Sequence, residues 1–349
     1  MKIFRKLNIK FIIIVLMMTV VLGLTGCNVG GKKLYFSTGL SEDDLFKIDG
    51  SVLKISEAKL YLTTEKNLYE KSYGSEIWDK NMGEITLESY VKESVKNQLA
   101  EIKTLDLLAK EKKVKLNKEE NAKAKEAAKT FFDGLTKGEK KYLGVTQKSV
   151  EEAYKNHMLA NKCYNELTKD INPEISDSEA KMIKVASIYY KTYTVDKKGN
   201  RTEYTEDEKE KSKKSLERLL KNINDGQEDF MTAAANNTDA DQVEYVFGKG
   251  DMIKEFEDTA FKLKTDEISG IVDTPDGYYV ILCINDYLED ETNKRKEEMV
   301  INAKDEYFKS IYEPFVESLS SEFNDKEWDK ISFDKMKDIK VSNFYECIV

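Results

Sequence analysis

Residues 247–261 read FGKGDMIKEFEDTAF, and this stretch decides how the middle of the chain folds. An apolar strand pattern ends at its first residue, and Gly248 and Gly250 predict a tight turn directly afterwards. Met252 and Phe256 follow at i and i+4 spacing, so both side chains lie on one face of a helical start. The stretch therefore predicts a strand, a turn and a short helix. Their shared apolar surface serves either as ordinary core or as a slot for an apolar group.

On both sides of this stretch, the pattern continues as a mixed unit of strands and helices. Residues 183–190 alternate between two faces in the manner of a strand. Thr205 and Glu208 have the spacing of a capping box at the start of a charged helix, which Gly226 ends. The other predicted elements are a turn over residues 197–200, a helix over 230–235, and strands over 243–247 and 278–284. We expect residues 181–288 to form one compact domain.

Helical periodicity dominates the chain before and after that unit. The predicted helices begin at Ser56, at Thr86, at Asn117 with a capping box to Glu120, and near residue 147. The period returns at Asp290, with a kink or break predicted at Pro314. Because each flanking set needs a partner for its apolar face, residues 34–176 and 290–349 are expected to pack together. The predicted fold class is α+β: a discontinuous, mainly helical domain with an inserted α+β domain.

The first 26 residues predict a targeting signal. Its basic start contains Lys2, Arg5, Lys6 and Lys10. The apolar run over residues 11–24 is short for a transmembrane helix, which needs about 20 residues, and small residues follow it, as in a secretory signal. The ending Leu24-Thr25-Gly26-Cys27 resembles a bacterial lipobox, which implies cleavage before Cys27 and a diacylglyceryl group on its sulfur. A plain signal peptide with an incidental cysteine is the alternative.

This interpretation of the N-terminus predicts the cellular location of the protein. Residues 27–33 would be a polar tether, and two acyl chains on Cys27 suffice for stable anchoring. We therefore expect a lipid-anchored protein on the extracytoplasmic face of the cell membrane.

The composition excludes several classes of function. Of 349 residues, 40% are hydrophobic and 35% charged, which suits folded domains and not a disordered chain. The net charge is −9, whereas a general nucleic-acid binder is basic. The single histidine, His157, excludes histidine-rich metal sites and is expected to be a packed, hydrogen-bonded residue. We expect no metal, no cofactor and no nucleic-acid partner.

The three cysteines beyond Cys27 show no CxxC spacing, so neither a zinc site nor a thioredoxin-like motif is supported. They are Cys163, Cys283 and Cys347. We expect buried free thiols, with one disulfide as the alternative in an oxidising compartment.

Residues 183–287 resemble the parvulin-type (PpiC or rotamase) peptidyl-prolyl isomerase domain. The residues that carry the resemblance are Ile188-Tyr189-Tyr190, the Gly-x-x-Asp-Phe ending at Phe230, the stretch 247–261, and residues 264–270 and 276–281. The resemblance implies a βα3βαβ2 fold. With the lipobox in front and a split helical frame around it, the chain resembles the extracytoplasmic foldase lipoproteins of the PrsA and SurA kind. That likeness implies unfolded or newly secreted polypeptides as partners and leaves a homodimer open.

The resemblance also assigns site residues. Met252 and Phe256 match the family's proline-pocket positions, and Phe247 lies near them. The family has histidines in its first and last strands, and this chain has Ser187 and Tyr279 there. Their hydroxyls could lie within hydrogen-bonding distance on neighbouring strands, although neither titrates near neutral pH as imidazole does.

A third candidate catalytic residue is Asp239, which takes the place of the acidic or thiol group that the family has in its middle loop. With Ser187 and Tyr279 it completes the set that the resemblance assigns to catalysis.

Two functions from different classes follow. The first is a membrane-anchored isomerase that acts on X-Pro bonds of secreted proteins. The second is a holdase chaperone whose parvulin-like unit has little or no catalysis. The Met252 and Phe256 motif favours the enzyme, and the replaced histidines favour the holdase. A solute-binding lipoprotein is a distant third, because no repeated βαβ pattern is present.

Overall fold

The computed structural model describes residues 39–83 and 85–348. The predicted signal, Cys27 and the tether lie outside the described residues. The chain divides into two compact units: the first holds residues up to Asp170 together with Glu306–Val349, and the second is Ile171–Asp305. Within the described ranges, every helix is too short or too polar to span a bilayer.

The described part of the first unit is mainly helical. Its helices before residue 170 are α1 (Ile55–Tyr73), α2 (Leu87–Glu111), α3 (Lys118–Gly134), α4 (Lys137–Leu143) and α5 (Gln147–Thr168). Thr86 caps α2 by accepting from the Ser89 N–H, and Asn117 and Glu120 form the predicted capping box of α3. Both predicted helix starts are therefore confirmed, because each depends only on residues within one turn.

A small antiparallel sheet joins the two ends of the first unit. Strands β1 (Asp44–Ile48) and β2 (Ser51–Lys54) form a hairpin, and its turn residues Asp49 and Gly50 have φ of 44° and 84°. Such positive φ values favour an Asp-Gly pair. A late strand pairs with the other edge of β1, with Phe323 opposite Phe46. A two-residue pair, β3 (Asn81–Met82) and β4 (Ile85–Thr86), precedes α2.

The C-terminal part of the chain supplies core to the first unit. Its elements are the second half of α10 (Glu289–Ser318), β11 (Ser321–Phe323), α11 (Asp325–Asp329) and two short 3-10 turns. Phe344 is fully buried, stacks on Tyr154 with ring centroids 4.1 Å apart, and its carbonyl accepts from the Tyr154 hydroxyl. Helix α10 contains Pro314 and continues to Ser318, so of the predicted kink or break the break is wrong, and the kink stays a prediction. Packing of Ile311 and Phe315 against the core offsets the hydrogen bond that proline removes.

The second unit is built on a four-stranded antiparallel sheet, which confirms the α+β class. Its strands are β5 (Met182–Lys191), β8 (Glu244–Gly248), β9 (Val272–Thr274) and β10 (Gly277–Asn285), in the order β8-β5-β10-β9. A small hairpin of β6 (Tyr193–Val195) and β7 (Arg201–Glu203) follows β5. Long strands β5 and β10 lie at the centre of the sheet, so most of their side chains are buried.

Four short or medium helices of the described residues lie wholly within the second unit, and the first part of α10 follows β10. The four helices are α6 (Asp177–Ala180), α7 (Glu206–Asn224), α8 (Phe230–Asn237) and α9 (Lys254–Ala260). The resemblance implies three helices between the first and second sheet strands, and the structure has two. The chain after α8 instead runs along β5, where Ser187 N–H donates to the Val243 carbonyl and Tyr189 N–H to Thr238 Oγ1. That edge pairing satisfies the backbone of β5 and leaves too few residues for another helix.

The sheet buries different side chains on its two faces. Alternate residues of β5 point to opposite faces. On one face, Ala186 and Ile188 pack with residues of α7 and α8 such as Leu216 and Phe230. On the other, Val185 and its neighbours pack against the glycine turn and α9. This second surface, called the α9 face below, contains the predicted site.

Candidate active site

The α9 face brings the three predicted pocket residues together in one apolar cluster. Phe247 and Phe256 are 2% and 3% exposed, and the half-buried Met252 packs against the same cluster. The other members are Ile183, Val185, Tyr245, Ala260, Phe261, Leu263, Val272, Tyr279 and Ile281. Since Phe247 and Phe256 are covered, the accessible part of the surface consists of the half-buried members Tyr245, Met252, Phe261, Leu263 and Tyr279.

Aromatic rings form a continuous chain across the α9 face. Tyr189 stacks on Tyr279 with centroids 4.5 Å apart, and the edge of Phe256 contacts Tyr279 at 5.1 Å. Phe247 continues the chain at 5.8 Å from Phe256, and Tyr245 lies 6.4 Å from the same ring. Each such pair contributes about 0.5–1.5 kcal/mol beyond burial. The rings therefore fix one another in position.

Ser187 lies under this aromatic surface with its hydroxyl unused. It is fully buried, and its Oγ has no hydrogen-bond partner among the described residues. Its Cα is opposite Ile281, whereas Tyr279 is opposite Tyr189. Ser187 and Tyr279 are thus diagonal neighbours, with Cα atoms typically about 7–8 Å apart. The expected hydrogen bond between their hydroxyls does not form in this register.

The two stacked tyrosines have different hydroxyl environments. The Tyr189 hydroxyl donates to the Asp276 carbonyl at 2.6 Å, which holds the ring at the mouth of the β9–β10 turn. Burial raises the pKa of Tyr279 to about 12, with smaller contributions from nearby Tyr245 and Asp276. Tyr279 therefore remains a neutral hydrogen-bond donor over the physiological pH range.

Asp239 lies beside the end of β5 that extends beyond β8. Its N–H donates to the Tyr189 carbonyl at 2.8 Å, and its carboxylate accepts from the Lys191 N–H at 3.1 Å. In the part of the chain that the structure describes, no hydrogen bond joins Asp239 to Ser187 or Tyr279. The three residues assigned to catalysis therefore share a sheet and do not form a hydrogen-bonded set.

The comparison with known families decides what this unit is. A family model described as the PPIC-type PPIASE domain of rotamases matches residues 194–285. The second unit contains a PPIC-type rotamase domain. The matched segment includes Asp239, Phe247, Met252, Phe256 and Tyr279, and it begins after β5, so Ser187 precedes it.

Curated relatives of the rotamase domain carry related names. The chain is 33% identical to the foldase protein PrsA of Halalkalibacterium halodurans over 103 residues, which are 24% of this chain and 30% of that protein. It is 29% identical to the foldase protein PrsA of Clostridium botulinum over 224 residues, 60% of this chain and 64% of that one. A peptidyl-prolyl cis-trans isomerase ssp-1 of Neurospora crassa is 69% identical over 35 residues, 10% of this chain and 19% of that protein. In none of these three matches does the chain cover two thirds of the relative.

Solved structures with similarity to the chain include a peptidylprolyl isomerase (PrsA) from Bacillus cereus. It is 18% identical, and the match covers 75% of this chain and 90% of that one with a TM-score of 0.34. The foldase protein PrsA from Lactococcus lactis is 15% identical, with coverages of 87% and 98% and a TM-score of 0.33.

Arg295 contacts the rotamase domain from outside the matched segment, and the sequence analysis did not single it out. Its guanidinium donates to the Asp251 carboxylate at 2.6 Å and to the Lys249 carbonyl at 2.6 Å. Burial acts to raise the pKa of Asp251, but the Arg295 and Gly248 hydrogen bonds outweigh it and hold that pKa below its usual value. The sequence gives one indication that Arg295 is special, because arginine is rare in this chain. It occurs only at Arg5, Arg201, Arg218 and Arg295.

The histidine and the described thiols take no part in the rotamase site. His157 is buried in the first unit between Tyr61 and Tyr345, and burial lowers its pKa to about 4. It is packed as expected, but its Nδ1 lacks the expected hydrogen bond among the described residues. Cys163 and Cys283 are buried free thiols, as the sequence predicts; the side chain of Cys347 lies outside the described part. The described residues contain no His, Cys, Asp and Glu cluster suited to a metal ion.

Proposed function

We propose that the second unit is a peptidyl-prolyl cis-trans isomerase that acts on X-Pro bonds of unfolded polypeptides. One observation carries the proposal: Phe247, Met252 and Phe256 form one apolar, ring-lined surface inside the segment that matches the rotamase family. On this proposal, the proline ring lies against Met252 and the tyrosine rings, with the buried phenylalanines beneath.

The chemistry needs no bond to carbon to be made or cut. Rotation about an X-Pro bond breaks amide resonance, against a barrier of about 18–20 kcal/mol. Resonance places partial negative charge on the carbonyl oxygen, and twisting the amide removes part of it. A dry apolar surface therefore disfavours the planar amide relative to the twisted one, which lowers the barrier.

Hydroxyl donors supply the second contribution in this proposal. Twisting localises the lone pair on the prolyl nitrogen, so a neutral donor close to it stabilises the transition state. Tyr279 is suited to this role because its raised pKa keeps its proton in place. Ser187 is buried below, and its unused hydroxyl can donate only if the surface opens around the substrate. Asp239 is assigned the weaker role of holding the edge of β5.

At the level of the whole chain, we propose a lipid-anchored, extracytoplasmic folding factor for newly secreted polypeptides. The lipobox-like Leu24-Thr25-Gly26-Cys27 and the foldase names of the relatives support it. Replacing Cys27 with Ala is expected to release the protein from the membrane or to block its processing. Unchanged membrane retention together with an unchanged mature mass would contradict the anchor.

The test of the isomerase is a set of tetrapeptide isomerisation rates with circular dichroism as a folding control. The variants are Met252→Ala, Phe256→Ala, Ser187→Ala and Tyr279→Phe. Truncating a large buried side chain costs about 2–5 kcal/mol of packing free energy. Part of that loss should appear as weaker binding of the X-Pro substrate. Met252→Ala and Phe256→Ala should therefore lose more activity than the hydroxyl variants. Full activity in the first two with loss in Ser187→Ala would overturn the assignment.

A holdase with little catalysis is the second candidate, and a specific observation favours it. Ser187 is fully buried and makes no hydrogen bond to Tyr279, so no hydrogen-bonded pair stands where the family has histidines. If the parent protein does not exceed the uncatalysed rate but suppresses aggregation of an unfolded client, the holdase replaces the isomerase.

A further inference from the structure

Residues 248–251 form a turn on the way from β8 to α9, and this turn connects two pocket residues. Phe247 precedes it, and Met252 follows it directly. Within the turn, the Gly248 N–H donates to Asp251 Oδ2 at 2.8 Å, and the Gly250 N–H donates to Glu257 Oε2 at 2.6 Å. Any displacement of this turn therefore moves Met252 relative to the fixed aromatic rings.

The Arg295 guanidinium closes this turn from the side. Nη1 donates to Asp251 Oδ2, and Nη2 donates to the Lys249 carbonyl, both at 2.6 Å. Planar, forked recognition of a carboxylate and a carbonyl is a property of arginine that lysine lacks. The Arg295 side chain is 20% exposed and that of Asp251 44%, so solvent screens the charge attraction in part and the forked geometry of the two hydrogen bonds matters more than the ion pair.

Gly248 and the start of α10 are both adapted to this contact. A Cβ on Gly248 would overlap Nη1 and Cζ of Arg295, because the guanidinium lies against the glycine. One turn before Arg295, Thr292 is fully buried and its Oγ1 accepts from the Met182 N–H at 3.0 Å. The Leu288 N–H donates to the Met182 carbonyl at 2.9 Å. These bonds fix the register of α10 on β5 and so fix where Arg295 lies.

We propose that Arg295 is a positioning residue for the proline pocket: by holding residues 248–251 it places Met252 for the substrate. The inference rests on the proposed function, since it takes Met252 as part of the pocket. The proposal adds Arg295, which lies outside the matched segment, to the residues that shape the proline pocket. Gly248 is then required for the space it leaves for the guanidinium.

A double-mutant cycle on the full chain tests the proposal. Arg295→Ala and Gly248→Ala should each lower kcat/KM by about tenfold or more, since misplacing a binding group by about 1 Å can cost a hundredfold. The double variant should be no worse than the worse single one, because without Arg295 the added Cβ meets no obstacle. Arg295→Lys should be intermediate, with the loss mainly in KM. If the losses of kcat/KM are additive in the double variant, the contact between Arg295 and the turn is not their common cause, and the proposal is wrong.

The matched control is Lys294→Gln on the same helix, which removes a cation that pairs with Glu298 on the exposed surface. It should leave kcat/KM and the Met252 methyl resonance at parent values. If Lys294→Gln matches Arg295→Ala, the effect belongs to the helix charge and the proposal is wrong.

Two measurements without turnover separate this inference from the proposed function. The Arg295→Ala variant should exchange the Gly248 amide proton at least tenfold faster and shift or broaden the Met252 methyl resonance. If the parent is inactive but these changes occur, the proposed function fails and the positioning role stands. If the parent is active and Arg295→Ala changes neither exchange nor resonance, the positioning role is wrong while the isomerase stands.

Discussion

The core of the first unit and the α9 face of the second differ in what they bury. Among the described residues, the first core leaves the Tyr61 hydroxyl, an Asp106 carboxylate oxygen and the His157 Nδ1 without hydrogen-bond partners. The α9 face consists of aliphatic groups and aromatic rings, and Ser187 Oγ is its unpartnered polar atom. The core of the first unit contains groups that ionise between pH 4 and 7, and the α9 face does not.

That difference has a consequence for stability. Burial raises the pKa of both Glu101 and Asp106 to about 7. At Asp106 the nearby Lys103 charge lowers the pKa, but burial has the larger effect. Burial of an ionisable group disfavours its charged form, so the first unit loses stability as these acids ionise. The buried tyrosines of the α9 face stay neutral. Carboxyl groups with a pKa raised towards neutrality therefore lie in the first unit, whereas the carboxylate beside the α9 face, Asp251, has a lowered pKa.

The largest expected effect concerns whether the second unit is independent of the first. Fragments 181–288 and 171–305 should both unfold cooperatively, but the shorter one lacks Thr292, Arg295 and the Lys296–Asp177 ion pair. Losing these hydrogen bonds should cost about 2–4 kcal/mol. Thermal and urea unfolding of both fragments measures the difference. Equal stabilities would mean that α10 contributes nothing to this unit, and absence of a transition in both would refute its independence.

A second prediction tests the half-buried Glu101 of the first unit. Between the ordinary pKa of 4.5 for Glu101 and the folded value of about 7, the unfolded chain has released the proton and the folded one retains it. Stability therefore falls as pH rises through this window. Glu101→Gln removes that titration and should stabilise the first unit by roughly 1–3 kcal/mol at pH 8, with little change at pH 4.5.

The control for this prediction is Glu111→Gln, an exposed position on the same helix. Its urea midpoint should track that of the parent at both pH values. A pH-independent gain in Glu101→Gln would show that the carboxyl titrates as an ordinary surface group.

The third prediction uses two buried serines of the second unit. Ser269 Oγ accepts from the Ile281 N–H and donates to the Gly270 carbonyl, whereas Ser187 Oγ has no partner among the described residues. Ser269→Ala should destabilise by about 1–3 kcal/mol, because it leaves a buried N–H unpaired. Ser187→Ala should be neutral or stabilising by up to about 1 kcal/mol. Equal losses in both would show that Ser187 is hydrogen-bonded in solution.

The smallest expected effect is an absence of change. Any isomerase activity should be flat between pH 6 and 9, because Tyr279 has a pKa of about 12 and the one histidine is buried in the first unit with a pKa of about 4. Rates of X-Pro isomerisation across this range provide the measurement. A bell-shaped or sigmoidal profile would show that a group other than Tyr279 and His157 titrates at the site.

Features that depend on neighbouring residues were predictable from the sequence. The capping boxes at Asn117 and Thr205 form as predicted. The signal for α4 is equally local, since Thr136 and Glu139 form a capping box, although α4 is not among the predicted helices. The three pocket residues also come together as predicted, because their spacing fixes them around one turn and one helix.

Features that depend on distant pairing were not predictable. Helix α1 begins at Ile55 and not at a Ser56 cap, because the Ile55 N–H already bonds to the Asp43 carbonyl across the hairpin. The separation of Ser187 from Tyr279 follows from the register of β5 against β10, which periodicity cannot give. Arg295 reaches the pocket turn only because α10 is fixed on β5.

The pairing of β11 with β1 sets the order in which the chain can finish folding. Asn324 Nδ2 donates to the Asp44 carbonyl across 280 positions of sequence. A polypeptide made from its N-terminus forms local structure first, and contacts between distant positions are slow to close. All of Ile171–Asp305 is synthesised before the last segment of the first unit exists. The rotamase domain can therefore be complete while the hairpin of β1 and β2 still presents an open edge, which makes the first unit the last to mature and the more exposed to misfolding.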